Sequence, residues 1–545
     1  MSNSTFNLQP STVLLYGPSG SGKSTIGRLL AENLNLSFVD LDVEIEARSG
    51  MLVPEIFASQ GEARFREWER TTLELILASD EQVIALGGGA LTVPETRQLA
   101  ERAGDVILLH AAPDALLARL QADDDPRPLL APSPLAPLPE GEVKASAEKL
   151  ESMLARRSGH YESFERKLDT THLSPEESTW ELQIKLGRYH LKAMSPAYDV
   201  RVQPGGLDEL GVLMQARGLN GPVAVVTDEN VGGLYLPRVL ESLQKSGYEA
   251  RGITIPAGET YKTLETVSQL WDGFLSAKIE RRSTVVGLGG GVVGDLAGFA
   301  AATFLRGVPW VAVPTSLLAM VDASMGGKTG ADLPQGKNLI GAFHPPRLVL
   351  ADPEVLATLP EEELRSGMGE VVKHGVIADA KLFEICRNFR GLTDLGGLLV
   401  SRAMAVKIRV IEQDPFERGI RAALNLGHTI GHAVELVSGF ELRHGEAVAI
   451  GTVAEARLAE QIGLAESGLA NKIAAVLQAV GLPTEIPPEL DRDALIHAMQ
   501  YDKKKSGGAV KFALPAAIGD VRVGIEAADM GIAQVIARCT TMERG

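Results

Sequence analysis

The chain has 545 residues, more than one hydrophobic core keeps filling, so two to four domains are expected. A net charge of −17 and a pI near 5.2 exclude nucleic acid and anionic membrane as general partners, since both need basic surface, and leave small metabolites. Cys386 and Cys539 are too few for a disulfide framework or a cysteine metal knuckle, no apolar run approaches the ~20 residues of a membrane span, and the polar start of the chain lacks a signal peptide's apolar stretch, so a cytoplasmic location is expected.

In chain order, the apolar run 12–16 predicts a buried strand, Gly17-Pro18-Ser19-Gly20-Ser21-Gly22-Lys23-Ser24-Thr25 follows it, and 26–36 repeats apolar residues at helical spacing. Strand, loop and helix are the setting that gives G-x-x-x-x-G-K-[ST] its meaning. Backbone N–H groups of the loop, from Gly20 and Gly22 to Thr25, face phosphates; Lys23 spreads charge over the outer ones and Ser24 can ligate Mg²⁺. Asp40 and Asp42 close the next strand-like run as alternate residues, which puts both carboxylates on one face near the phosphates, although aspartates at a strand end are also common turn formers. Arg66 offers an anion clamp, and the strand 83–86 runs into Gly87-Gly88-Gly89, where a backbone can approach a ligand closely. With 105–110 as a further buried strand, strands alternate with helices as in a parallel α/β sheet. Residues 122–140 break the pattern with Asp123-Asp124-Asp125 and six prolines, and read as a surface loop carrying Arg127. A helix is expected over 145–157, and the polar stretch 170–195, with no evident partner, takes the domain junction.

From residue 198 the alternation restarts, with strands at 223–227, 250–255, 283–288 and 310–313. Gly289-Gly290-Gly291-Val292-Val293-Gly294 satisfies G-x-G-x-x-G between a strand and an apolar helix, yet the acidic residue expected ~20 positions on in a dinucleotide fold is missing. Asp228, and Glu259 with Lys262, are strand-end groups able to take ribose hydroxyls and phosphate. After 361 the chain turns to amphipathic helical stretches at 391–412, 447–462 and 466–480. The fold class is therefore α/β: a P-loop parallel-sheet domain (1–185), a linker (186–197), a Rossmann-like α/β domain (198–360) and an all-helical C-terminal domain (361–545).

Three polar clusters fall in that last part. Gly367-Met368-Gly369-Glu370-Val371-Val372-Lys373-His374 puts Glu370, Lys373 and His374 on one helical face, Asn425-Leu426-Gly427-His428-Thr429-Ile430-Gly431-His432 puts two histidines one turn apart, and Arg443-His444-Gly445-Glu446 adds another. The whole chain has ten histidines, and four of them with a glutamate in apolar context fit a mixed N/O site for zinc, with cobalt also compatible. Spacing alone selects His428 and His432 as the ligand pair.

Over about 10–185, the phosphate loop, Asp40-x-Asp42, Gly61-Glu62-x-x-Phe65-Arg66-x-x-Glu69, Gly87-Gly88-Gly89-Ala90 and Arg127-Pro128-Leu129-Leu130 resemble shikimate kinase in order. The resemblance implies ATP with Mg²⁺ as cofactor, Lys23 and Asp42 at the reaction, and Arg127 closing over ATP. It also implies that Asp42, Arg66, Gly88 and Arg157 hold the substrate, the arginines taking its carboxylate. The acidic run before Arg127 departs from the family's basic lid.

From about 198 onward, Gly291-Val292-Val293-Gly294-Asp295, Thr315-Ser316-Leu317-Leu318-Ala319-Met320-Val321-Asp322, Gly326-Gly327-Lys328-Thr329-Gly330, Gly336-Lys337-Asn338 and the glutamate and histidine motifs resemble 3-dehydroquinate synthase. That likeness implies Glu370, His428 and His444 as zinc ligands and moves His432 to the substrate shell. Around a phosphorylated, carboxylated sugar acid it implies Arg306, Lys328, Asn338, Lys373, Lys407, Arg421, Asn425 and one lysine of 503–505, taken as Lys504, with Asp322, Lys337 and Glu417 in further site positions. NAD would lie against Asp228, Glu259, Lys262, Gly291, Val292, Val293, Gly294, Asp295, Thr315, Ser316, Lys328 and Lys337, and the protein would be a homodimer through this half. The family's reaction oxidises one hydroxyl with NAD⁺, which acidifies the neighbouring C–H and lets phosphate leave; the hydride returns and the opened ring closes, a lyase-type cyclisation. The expectation is a bifunctional enzyme of aromatic-precursor biosynthesis. Another small-molecule kinase in the first half, a zinc/NAD polyol dehydrogenase in the second, or one half reduced to a regulatory module stay open as alternatives.

Overall fold

A computed structural model describes residues 12–79, 81–122, 142–391, 396–506 and 510–540; Arg127 and the acidic run before it lie outside the described residues. The chain divides into two compact units, Met1–Tyr189 and His190–Gly545.

The first unit is built on a parallel sheet in the order Ser37–Asp40, Gln82–Ala85, Thr12–Tyr16, Gly104–His110, Lys167–Asp169. Thr12–Tyr16 is buried at every residue, the continuous run that a parallel strand covered on both faces requires. Its alternate residues enter two cores: Leu14 and Tyr16 pack with Phe65 and Phe164, while Val13 and Leu15 pack with Ile26 and Leu30 of the helix Lys23–Leu34. The strands on either side of it belong to opposite directions of the chain's winding, and ligands of open α/β sheets bind beyond the carboxyl ends of the strands at such a point. The phosphate loop leaves there.

The stretch 170–195 is not the partnerless polar segment expected from sequence. It holds the helix Pro175–Leu186, started by a reciprocal cap between Ser174 and Glu177, and Leu182 and Leu186 join the core beside Ile26 and Leu30. Its buried face includes Ser178, Thr179 and Gln183, which hid the apolar stripe. The strand Arg188–Leu191 falls within 186–197, expected as a linker.

In the second unit, parallel strands run in the order Tyr198–Val202, Leu348–Ala351, Trp310–Pro314, Ser283–Gly289, Asn220–Asp228, Ala250–Ile255. An antiparallel hairpin, Lys328–Leu333 with Gly336–Phe343, precedes Leu348–Ala351. The C-terminal part is helical but not all-helical: Lys511–Ala517 and Asp520–Glu526 form a hairpin whose Phe512 and Leu514 pack with Ile450, Ala454 and Leu458 of the helix His444–Gln461. Pro515 and the mostly solvent-facing second strand gave no run long enough to read as a strand. Among the described residues no helix is long and apolar enough to cross a membrane.

Candidate active sites

Gly22 begins the helix Lys23–Leu34 with φ 91°, a left-handed conformation that suits glycine, and no side chain caps that helix, so its first N–H groups stay open to an anion. Lys23 Nζ donates to the carbonyls of Gly17 and Pro18 at 2.9 and 3.0 Å and so lies over the loop. Ser24 Oγ donates to Asp40 Oδ2 at 2.6 Å. The other oxygen of Asp40 accepts the Asp42 N–H at 3.1 Å and caps the helix Leu41–Ser49. Asp42 is thus a residue of that helix's first turn, not the alternate strand residue expected from sequence, because the strand ends at Asp40. Both carboxylates nevertheless line one cavity of about 820 Å³.

That cavity gathers the described residues expected for the kinase: Gly20, Gly22, Lys23, Ser24 and Thr25 on one side, Asp42, Arg66, Gly88 and Arg157 on the other. Arg157 Nη1 donates to the Gly88 carbonyl at 2.7 Å. Arg66 donates to Glu69 Oε2 at 2.6 Å and to Glu62 Oε1 at 2.8 Å, which aims its guanidinium along the cavity wall. Glu69 is 1% exposed, and burial pushes its carboxyl up to about 7 against the pull of Arg66. The motif Phe65-Arg66-x-x-Glu69 assigns Glu69 no role by itself, and its spacing of three from Arg66 is the one sequence signal of this pair. Arg119, missed altogether, also lines the cavity and donates to Thr170 Oγ1 and O at 3.1 and 2.6 Å. Its partner is 51 residues away, beyond any local pattern.

In the second unit, Gly291, Gly294, Asp295 and Lys328 line a crevice at the glycine loop, where the helix Gly291–Thr303 starts. The Thr315 N–H bonds the Gly289 carbonyl at 3.0 Å, which seats Thr315 and Ser316 beside the loop. Lys262 is buried, 2.6 Å from Asp295 Oδ2, and donates to Asn338 Oδ1 at 2.6 Å, with Glu259 4.0 Å away. These groups, far apart in sequence, converge next to the loop. Asp228 Oδ1 accepts the N–H groups of Asn230 and Val231 at 2.9 Å and so caps the helix Glu229–Lys245.

The histidine motifs converge on Glu370, fully buried in the helix Glu361–Ala378. Its Oε1 lies 3.5 Å from His444 Nε2 and 3.8 Å from His428 Nε2. Donors ~2.1 Å from a shared tetrahedral ion stand about 3.4 Å apart, so the three residues fit a divalent cation. The remaining ring nitrogens are engaged, His428 Nδ1 with the Leu426 carbonyl at 3.2 Å and His444 Nδ1 with Glu435 Oε2 at 3.4 Å, which turns both Nε2 atoms toward Glu370. Burial, then Lys373, lowers His428 to about 3, leaving the neutral imidazole that a ligand must be. Burial also lowers His444, but bonds to Glu370 and Glu435 outweigh it and raise that ring to about 10; this is the negative charge a cation would meet. The pair selected by spacing alone, His428 and His432, does not share one cluster: His428 groups with Glu370 and His444. His432 packs edge-on against His428 at 5.0 Å and groups with Glu435 and His444, because one-turn spacing on a helix does not reveal which third donor the fold supplies.

Lys373 Nζ lies 2.5 Å from Glu370 Oε2 and donates to the Leu424 carbonyl at 2.8 Å, beside Asn425. Lys407 Nζ binds Asp322 Oδ1 at 2.6 Å and its carbonyl at 2.7 Å. Lys373, Lys407 and the buried Arg421 set three positive charges against the two of Glu370 and Asp322, an excess that suits an anionic substrate. Lys328 pairs with Glu417, and Arg421 donates to the Pro415 carbonyl. Lys337, expected at the cofactor, binds Glu435 Oε1 at 3.2 Å and lies over the Phe440 ring, so it adjoins the histidine cluster. Arg306, in an exposed turn, makes no hydrogen bond or ion pair to these residues among the described residues. Lys504 falls in the helix Arg492–Ser506, and its side chain is outside the described residues.

The folds and sites define a chain of two enzymes: a phosphate-loop kinase followed by an α/β enzyme with a buried carboxylate–histidine centre. Family profiles match shikimate kinase over residues 19–186, the N-terminal part of 3-dehydroquinate synthase over 252–366 and its C-terminal part over 367–505. A 3-dehydroquinate synthase of Synechocystis sp. is 47% identical over 334 residues, 60% of this chain and 92% of that protein. Among solved structures, a 2-epi-5-epi-valiolone synthase from Streptomyces hygroscopicus with NAD⁺ and Zn²⁺ bound shares 30% identity over 63% of this chain and 96% of its own, with a TM-score of 0.58. A 2-deoxy-scyllo-inosose synthase complexed with carbaglucose-6-phosphate, NAD⁺ and Co²⁺ shares 26% over 65% and 99%, also at 0.58. The chain belongs to the 3-dehydroquinate synthase family and carries a shikimate kinase ahead of it, a kinase and a cyclising lyase of the shikimate pathway in one polypeptide.

Proposed function

We propose that residues 1–185 transfer the terminal phosphoryl group of ATP to shikimate, giving shikimate 3-phosphate. We further propose that residues 198–545 convert 3-deoxy-D-arabino-heptulosonate 7-phosphate to 3-dehydroquinate with release of phosphate, NAD bound by 198–360 and the metal and substrate mainly by 361–545. For the kinase, the observation that carries the reading is the single cavity that joins the phosphate loop to Arg66 and Arg157. In it Ser24 and Asp40 would hold Mg²⁺ and Lys23 would neutralise phosphate charge, while Asp42 takes the proton of the attacking hydroxyl, Arg66 and Arg157 hold the substrate carboxylate and Gly88 lets the substrate approach the backbone. For the synthase, that observation is the convergence of His428 and His444 on Glu370.

Those three residues would hold zinc, or cobalt in its place, which supplies polarisation of the oxygen at the carbon being oxidised, while NAD supplies a recycled oxidant. Lys373, Lys407, Arg421, Asn425 and His432, with Lys328, Asn338, Arg306 and Lys504, bind the carboxylate, hydroxyls and phosphate. Asp295 and Lys262 carry the nucleotide beside the glycine loop. A homodimer through this half and a cytoplasmic location complete the reading, and light scattering on the purified chain checks the first.

Two variants of the full chain test it. Lys23→Met should lower shikimate phosphorylation by at least about 100-fold and leave phosphate release from the synthase substrate unchanged; His428→Ala should do the reverse. Loss of both activities in either folded variant would refute two independent sites, and no turnover of shikimate by the parent would refute the kinase assignment.

A further inference from the structure

The helix His444–Gln461 opens with His444 and carries Glu455 eleven residues later, about three turns on and hence on the same face. Glu455 is fully buried, and its carboxylate points at the start of the helix His428–Val437. Oε2 accepts the Gly427 N–H at 2.6 Å, Oε1 accepts the Ile430 N–H at 3.2 Å, and the Thr429 N–H is bonded as well. These amides flank His428 on both sides. The helix His428–Val437 has no side-chain cap of its own, since Gly427 occupies the cap position with φ 79°. Glu455 therefore does from another helix what a local Asp or Ser does at most helix starts. Burying a carboxyl group is costly, and the three N–H groups that Glu455 accepts offset that cost. What only the carboxylate provides is a fixed link between the turn bearing His428 and the helix bearing His444.

Resting on the reading of Glu370, His428 and His444 as a metal centre, we infer that Glu455 is a positioning residue of that centre: it fixes the first turn of one histidine helix against the other and so sets the spacing of the two imidazoles around Glu370. Outer partners of metal ligands commonly govern affinity by 10- to 100-fold.

The test uses the full chain, stripped of metal, with Glu455→Gln, Glu455→Asp and the parent compared well below their unfolding temperatures. In Glu455→Gln an amide N–H₂ faces the backbone donors, so the turn loses at least one bond. Zinc affinity by chelator competition should fall about 10-fold or more, and the visible absorption of the cobalt-substituted chain should change in position or intensity. Glu455→Asp, which keeps both acceptor oxygens on a shorter stem, should fall between this variant and the parent, and it decides the matter by the same two readouts if the Gln variant does not fold. A lowered unfolding temperature with parental zinc affinity and cobalt spectrum would overturn the inference, leaving Glu455 a structural cap. A parent that takes up neither metal would instead overturn the underlying site reading.

Discussion

Glu69 carries the sharpest electrostatic conflict in the kinase cavity, 2.6 Å from Arg66 yet raised from 4.5 to about 7 by burial. A carboxyl whose folded value exceeds its unfolded one binds more protons folded than unfolded, so stability is greatest below about 4.5 and declines as pH rises toward about 7, then levels. The full decline is at most about 3 kcal/mol, at ~1.4 kcal/mol per pH unit. Glu69→Gln should remove it: hydrogen-exchange protection of the Thr12–Tyr16 amides, in the strand beneath the cavity, should weaken between pH 5 and 8 in the parent and stay flatter in the variant. Equal slopes in both chains would show that Glu69 stays ionised throughout. Lys23 and Ser24 were legible because a loop binds phosphate through consecutive residues. The pairing of Arg119 with Thr170, and of Lys262 with Asp295, was not, since each joins a helix residue to a loop residue distant in sequence that only the folded sheet brings beside it.

At the scale of elements, each proposed metal ligand adjoins a glycine at a helix crossing: Gly369 before Glu370, Gly427 before His428 and Gly445 after His444. A Cβ on Gly445 would lie 1.8 Å from the Ser366 carbonyl oxygen, and one on Gly369 2.5 Å from the Gly445 carbonyl oxygen. Backbone cannot yield there without moving a helix, so Gly445→Ala should cost about 1–3 kcal/mol and separate His444 from Glu370. The expected signs are a lower unfolding temperature of the second unit and reduced zinc retention on gel filtration. Gly233→Ala, in the helix Glu229–Lys245 where a Cβ meets nothing within 4 Å, should change neither adversely. A parental unfolding temperature for Gly445→Ala would contradict the close crossing. The same crossings explain what spacing could not tell. The sequence displays His428 and His432 on one helix, whereas the choice of His444 over His432 depends on where Gly369 and Gly445 let two other helices meet. The missed helix Pro175–Leu186 and the hairpin from Lys511 failed to register for a related reason, since their buried faces are mixed or short and become apolar surfaces only against a neighbour.

For the molecule as a whole, two compact units, each with buried clusters and a site of its own, imply that ligands stabilise one unit without the other. A ligand at about 1,000 times its Kd adds about 4 kcal/mol to the unit that binds it. A chain of independent units should accordingly melt in two calorimetric transitions rather than one. With Mg²⁺ in excess, a zinc-selective chelator should lower one transition by several degrees and abolish phosphate release from the synthase substrate, while the other transition and shikimate phosphorylation stay at parental values. Adding ATP with Mg²⁺ should raise only the transition that the chelator leaves alone. The double response matters because either ligand alone could act through general effects on solubility or ionic strength, whereas opposite selectivity cannot. If chelation lowered both transitions together, the phosphate loop and the Glu370 cluster would belong to one cooperative body, and the division at Tyr189 would be one of topology without energetic consequence.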